Sequence, residues 1–299
     1  MTAPTTTAST SGWRSRWRWA IPRRVPFAAG ISGSLLVIIL FIVATADIIR
    51  PIDTYTVDFA AALQSPSLSS PMGTDELGRD IMTRVFHGLR VSLFVSLMAS
   101  VVALVLGGAI GLAAGALGGK VDSVLMRFLD VFASQNHLLF GIVLAVLFRP
   151  ALGPMGAILL AVGLTHWTQM ARIVRGELLS LRERQFVGAA INGGAGRWRL
   201  AWRHYLPHLL PAMGLGFVLL FPHAIFHESA LSFLGVGLPP HQASLGNLLA
   251  DSRSLILVGA WWAALFPGLM LLLTSLAIGT LGEYWRDRHN PRWRSELEL

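Results

Sequence analysis

Long apolar runs recur along this chain and decide most of what it can become. They extend from about Phe27 to Ile49, Val91 to Gly118, Val124 to Phe148, Met155 to Val174, Tyr205 to Phe233 and Leu257 to Leu281. About 20 apolar residues in a helix cross the hydrocarbon core of a bilayer. A helix satisfies its own backbone there, where no water is present to do so. The expected fold is therefore all-α and integral to the membrane, with about six transmembrane helices. Composition agrees: 54% of the residues are hydrophobic and 13% charged, against roughly 25% charged in soluble domains.

The formal net charge of +8 would suggest nucleic acid in a soluble chain. Here the cations gather at the ends of the apolar runs, where they set topology and meet anionic lipid. There are no cysteines, which excludes disulfides, thiolate metal sites and cysteine nucleophiles. The first 12 residues are rich in Thr, Ser, Ala and Pro, a composition that favours disorder. Arg14, Arg16, Arg18, Arg23 and Arg24 follow, interleaved with Trp13, Trp17 and Trp19, as an interfacial anchor. The run after them is too long for a signal-peptide core and lacks a small-residue cleavage site, so it reads as an uncleaved first span. The resulting division is a cytoplasmic basic tail (1–26), a first transmembrane helix (27–49), an extracytoplasmic segment (50–90), a five-helix core (91–285) and a cytoplasmic tail (286–299).

One polar, basic island interrupts the core. Residues 181–211 read LRERQFVGAAINGGAGRWRLAWRHYLPHLLP, with Arg182, Arg184, Arg197, Arg199 and Arg203 among apolar and aromatic side chains. Five guanidinium groups cannot lie in hydrocarbon, and their sign selects the cytoplasmic face. The spacing predicts a short amphipathic helix, a Gly-rich turn at Asn192, Gly193, Gly194 and Gly196, and a restart.

This island resembles the coupling loop of ABC-importer permeases, whose pattern is Glu-Ala-Ala, three residues, Gly, nine residues, Ile, one residue, Leu-Pro. Ala189, Ala190, Gly194, Leu206 and Pro207 match it; Gly188 replaces the Glu and His204 the Ile. GTDELGRD at 73–80 and HESALSFLGVGLPP at 227–240 resemble further signatures of the dipeptide, oligopeptide and nickel permeases. THWTQMARIVRGELLSLRER, ending at Arg184, resembles the stretch leading into the coupling loop, with His166–Trp167 closest to the nickel branch. Departures are Gln135–Asn136 in place of Phe-Pro, which removes a helix-bending proline, and Leu245 in place of a Trp.

The resemblance implies a cytoplasmic helix-turn-helix, 181–207, that docks into a separate ATPase through Glu183, Phe186, Gly188, Ala189, Ala190, Gly194, Leu206 and Pro207. It also implies a homologous second permease, two ATP-binding subunits, an extracytoplasmic binding protein and a bacterial inner-membrane location with both termini cytoplasmic. No cofactor is expected in this chain, because ATP and magnesium belong to the partner subunits. Gly119–Lys120 lacks the other residues of a phosphate loop: Ala114 stands for its first Gly and Val121 for its Ser/Thr. Were residues 183–188 one helix, Glu183 would project about 140° from position 188 and could not replace the missing Glu.

Read for chemistry alone, the chain has little. His227–Glu228 begins like a zinc-protease helix, but Leu231 stands where the second His is required. His223 and His227 lie at i and i+4 on one helix face, and neutral imidazole ligates nickel, copper or zinc. They are the candidate metal ligands and, with Glu228, the candidate translocation-pathway residues. No third imidazole lies between them, so a tight site needs residues from elsewhere. At 18 residues beyond Tyr205, His223 is expected about 27 Å along the span, near its outer end. Other spacings predict helix caps from Thr74 or Asp75, an Arg127–Asp130 pair, and close helix packing along Gly107, Gly111, Gly115 and Gly119. The expected function is a permease subunit translocating nickel, a metal chelate or short peptides. The alternatives are a peptide-only importer permease and, from other classes, a stand-alone carrier or a membrane enzyme.

Overall fold

The computed structural model describes residues 24–49, 57–239 and 241–289; most of the basic N-terminal tail and the segment 290–299 lie outside them. The described residues fold into helices and loops. They are α1 (Arg24–Ile49), α2 (Ile81–Leu117), α3 (Gly119–Ala133), α4 (His137–Arg182), α5 (Gln185–Asn192), α6 (Arg197–Arg199), α7 (Leu206–Phe233), α8 (Leu245–Leu257) and α9 (Trp262–His289). A six-residue π-helical turn, Leu200–Tyr205, joins α6 to α7. Pro207 explains it: it lacks a donor and crowds the carbonyl of Arg203, four residues back, and a wider turn relieves the defect.

Among the described residues five helical stretches are long and apolar enough to cross a membrane, and a sixth apolar limb comes from a reversal inside one of them, α4. At 46 residues, α4 would be about 69 Å long if straight, more than twice a hydrocarbon core. Instead it doubles back at Gly153, whose φ of 68° and ψ of 175° are non-helical. Pro154 disfavours helix at the residue before it, and glycine tolerates the positive φ. A β-carbon built on Gly141 would lie 3.9 Å from Thr165 Cγ2, which only a reversal between them allows.

The third crossing is α3 followed by the first limb of α4. Asp122–Arg175, Asp130–Arg172, Phe132–Trp167 and His137–His166 form one antiparallel series of contacts with the second limb. Between the two pieces the helix breaks at Ser134–Asn136. Asn136 is extended, and its side chain accepts from the amides of Leu138 and Leu139 at 3.1 and 3.2 Å, capping the restart. The interruption persists where the proline is absent, because asparagine supplies it by capping. The same series corrects the local pairing expected for Asp130: its carboxylate binds Arg172 at 2.9 Å, not Arg127.

Helix α2 packs along the second limb of α4 through glycine. A β-carbon on Gly107 would stand 2.4 Å from the Trp167 carbonyl oxygen, and one on Gly111 2.5 Å from that of Ala171. Gly115 meets Leu178 equally closely, whereas Gly119 faces open space and is the first residue of α3.

On the opposite end, residues 57–80 fold into a loop locked onto the starts of α2 and α9. Helix α2 begins at Ile81, ten residues ahead of the expected boundary, and Asp80 caps it by accepting from Thr83 N at 2.9 Å. Thr74 and Asp75 are not caps. Thr74 Oγ1 donates to Ala61 O at 2.6 Å, and the Thr74 carbonyl accepts from Trp262 Nε1 at 3.1 Å. The Asp75 carboxylate accepts from the amides of Leu77 and Arg79 and from the guanidinium groups of Arg79 and Arg84. Arg84 also reaches Asp251 of α8 at 2.9 Å. Gly78 is needed here: its φ is +73°, and a β-carbon would strike Asp58 O at 1.9 Å.

Candidate functional site

Three places carry the residues singled out by the sequence. The first is the basic island expected to be a coupling loop, and it folds as a helix-turn-helix. Arg184 is extended with ψ of 141°, and so separates α4 from α5. Glu183 therefore caps α4, and Gly188 belongs to the next helix, so the angle expected between them on one helix does not apply. After α5 the amide of Ala195 bonds the Ala190 carbonyl and that of Gly194 the Ile191 carbonyl, at 3.0 and 2.9 Å. This pair of bonds closes a helix with a left-handed residue, and Gly194 is that residue, with φ of +80°.

The loop has an inner and an outer face. Val187 and Leu200 are buried in a cluster with Val174, Leu178 and Leu181 of α4 and Leu209 of α7. Glu183, Gly188 and Ala189 are exposed, Ala190 is half-buried, and a β-carbon at Gly188 would touch nothing within 4 Å. Phe186 is half turned back, stacked on His208 at 4.9 Å between ring centroids. Trp198 and Trp202 meet edge to face at 5.4 Å and stay 76% and 51% exposed. Leu206, half-buried, and Pro207, exposed, start α7.

The second place is Glu228, which the structure buries. It is 0% exposed. Its carboxylate accepts from the hydroxyls of Ser229 and Ser232, at 3.2 and 3.0 Å, and from those of Ser92 and Ser244. Ser92 also takes the Leu245 amide at 3.1 Å, and Ser244 caps α8 by taking that of Asn247 at 3.1 Å. A buried carboxylate is tolerated when hydrogen bonds satisfy its oxygens, and this one ties α2, α7 and α8 together. Gly246 lets the helices approach this closely, since a β-carbon there would lie 2.5 Å from Ser229 O. Glu228 thus joins three segments from inside the chain.

The third place is a cluster of imidazoles at the break in the third crossing. The rings of His166 and His227 are 4.7 Å apart between centroids; His137 lies 6.0 Å from His166 and 6.2 Å from His227. His137 is exposed, His227 half-buried and His166 only 6% exposed. His223 follows the same face of α7 one turn before His227 and is exposed. The pair expected on α7 thus gains neighbours from two other segments. His137 and His166 were missed as its companions; their near-equal distances from the Gly153–Pro154 turn are the signal that pairs them. His166 lies 13 residues, about 20 Å, along the second limb from that turn. His227 is level with it, deeper in the apolar layer than the outer end expected for it. Among the described residues no group of three or more His, Cys, Asp or Glu is disposed to hold a metal ion.

Comparison with known proteins places this architecture. Residues 107–295 match the family described as binding-protein-dependent transport system inner membrane component. The dipeptide transport system permease protein DppC of Bacillus subtilis is 37% identical over 265 residues, covering 88% of this chain and 82% of that protein. The oligopeptide transport system permease protein OppC of Escherichia coli K12 is 38% identical over 284 residues, 94% and 93% of the two chains. A putative peptide transport system permease protein of Brucella suis is 37% identical over 279 residues, 92% of this chain and 90% of its own length. With a family match over residues 107–295 and relatives 37–38% identical over most of both chains, this chain belongs to the family of binding-protein-dependent transport system inner membrane components.

Proposed function

We propose that this chain is one permease half of an ATP-driven importer of short peptides in a bacterial inner membrane. Its loop and both termini face the cytoplasm. A second permease, two ATP-binding subunits that hold ATP and magnesium, and an extracytoplasmic binding protein complete the complex. The observation that carries the reading is the two-faced coupling loop. Its inner face is fused to α4 and α7 through Val187 and Leu200, while Gly188 and Ala189 on its outer face meet nothing in this chain. A partner pressing on α5 therefore moves the inner ends of α4 and α7 together, and a packed cluster transmits that motion as a body. Alternation between inward- and outward-open states follows when ATP binding favours one of them.

The relatives named for dipeptide and oligopeptide transport support peptides over nickel as cargo. Among the described residues no catalytic constellation assembles, and the work proposed for the chain is conformational. Co-purification followed by uptake into vesicles tests this. The expected result is a complex with an ATPase and a sister permease that accumulates radiolabelled dipeptide only when ATP and the binding protein are supplied. Peptide uptake by the chain alone, without ATP, would overturn it.

A further inference from the structure

The imidazole cluster has a chemistry that the coupling reading does not use. His166 Nδ1 lies 2.9 Å from the Val162 carbonyl, a contact that is attractive only if Nδ1 carries the proton. With its proton on Nδ1, the Nε2 of this buried ring is an acceptor and does not donate to the cluster. His137 is the first residue of the restarted helix, just after the Asn136 cap. Its ring lies within 6.2 Å of both other imidazoles. The positive end of that helix dipole thus faces the same spot. No carboxylate offsets it: Glu228, next in sequence to His227, is closed off by four serine hydroxyls. Accessible imidazole N–H groups, a helix start and no acid together favour an anion. A cation would need ligands converging on one point, and none do.

From this juxtaposition we infer that His137 and His227, backed by His166, bind the terminal carboxylate of the peptide in transit, an inference that rests on the peptide-importer reading. His137 and His227, the accessible members, donate ring N–H groups to the carboxylate oxygens; His166 fixes the orientation of the His227 ring from behind. Two hydrogen bonds in a half-exposed site hold an anion weakly. That is what passage requires, since a conducted substrate must also leave.

The test uses the complete importer in proteoliposomes and radiolabelled dialanine as probe. His137→Leu combined with His227→Leu removes the donors from accessible positions. It should lower uptake tenfold or more at low peptide concentration, roughly the effect of losing a hydrogen bond to a charged group. His137→Lys, a donor that cannot serve as a neutral metal ligand at this pH, should keep uptake within about threefold of wild type, on the same scale. Assembly with the ATPase should be unchanged in both. If Lys and Leu at position 137 fail equally in assembled complexes, or if the double Leu variant transports normally, the inference is overturned. Nickel or zinc uptake that vanishes with these rings, while peptide uptake persists, overturns it in favour of a metal path. A wild-type importer that moves no peptide overturns the function reading itself, a result distinct from indifference of the variants.

Discussion

The outer lock and the coupling loop are both polar stretches carried between apolar runs, and they treat their polar groups in opposite ways. In the lock, Asp75 accepts from two amides and two guanidinium groups, and Thr74 bonds both Ala61 and Trp262. In the loop, Arg184, Arg197, Arg199 and Arg203 form no ion pair among the described residues, and Trp198 and Trp202 face outward. Polar groups satisfied within the chain hold the fold, whereas groups left open on a rigid base fit the docking surface proposed above. Damage to the first should unfold the chain; damage to the second should leave it folded and idle.

The largest effect is expected from Asp75→Ala. It leaves the Arg84 guanidinium, on a side chain only 9% exposed, with Asp251 alone, and strands two amides. Removing one partner of a buried ion pair costs about 3–5 kcal/mol. Heating the detergent-solubilised chain and following its aggregation should show a much earlier transition than in wild type. An unchanged transition would break the comparison at its strongest point. Gly111→Leu should come next. Its side chain would enter where a β-carbon already meets the Ala171 carbonyl at 2.5 Å, and overpacking of this kind costs about 1–3 kcal/mol. The same melt should show an intermediate shift, while Gly119→Leu, in open space, serves as the control and should show only the strain of its positive φ.

How much of this was legible in the sequence follows from what each feature depends on. Crossings and the coupling loop could be read because each rests on local rules: apolar length, and a cost of burying arginine that no tertiary context removes. The glycine stripe on α2 was legible for the same reason, since spacing alone places it on one face. Features built across distant segments were hidden. Asp130 finds Arg172 rather than Arg127 because α3 lies antiparallel to the second limb of α4. The role of Glu228 depends on Ser92 and Ser244, on other segments, meeting it. Position 136 shows a third case: the proline is absent, yet the break survives because asparagine caps the new helix.

Gly194→Val sharpens the comparison from the other side. A β-branched residue at φ of +80° is strained by about 1–2 kcal/mol, and nothing crowds it, so the cost stays in the turn. The chain should insert and melt near the wild-type temperature. Uptake in reconstituted vesicles should fall sharply while ATP hydrolysis persists, because α5 no longer sits at its fixed angle to α7. Normal transport would show that the geometry of this turn does not carry the motion.

The smallest effect is expected at Gly188, where the family pattern has Glu. The position is helical, exposed and free of neighbours, so a carboxylate side chain meets no steric barrier. Replacing a mid-helix glycine also contributes up to about 0.8 kcal/mol of helix propensity, and Arg184, one turn earlier, can pair with the new charge. Gly188→Glu should therefore leave the melt unchanged or slightly raised. Because the face it joins is directed away from the chain, its consequence should be read in the complex, as retained or tighter co-purification of the ATPase. Weaker association at unchanged stability would show that the partner's groove has changed with this residue. The loop's outer face would then still be the docking surface, but one matched to glycine.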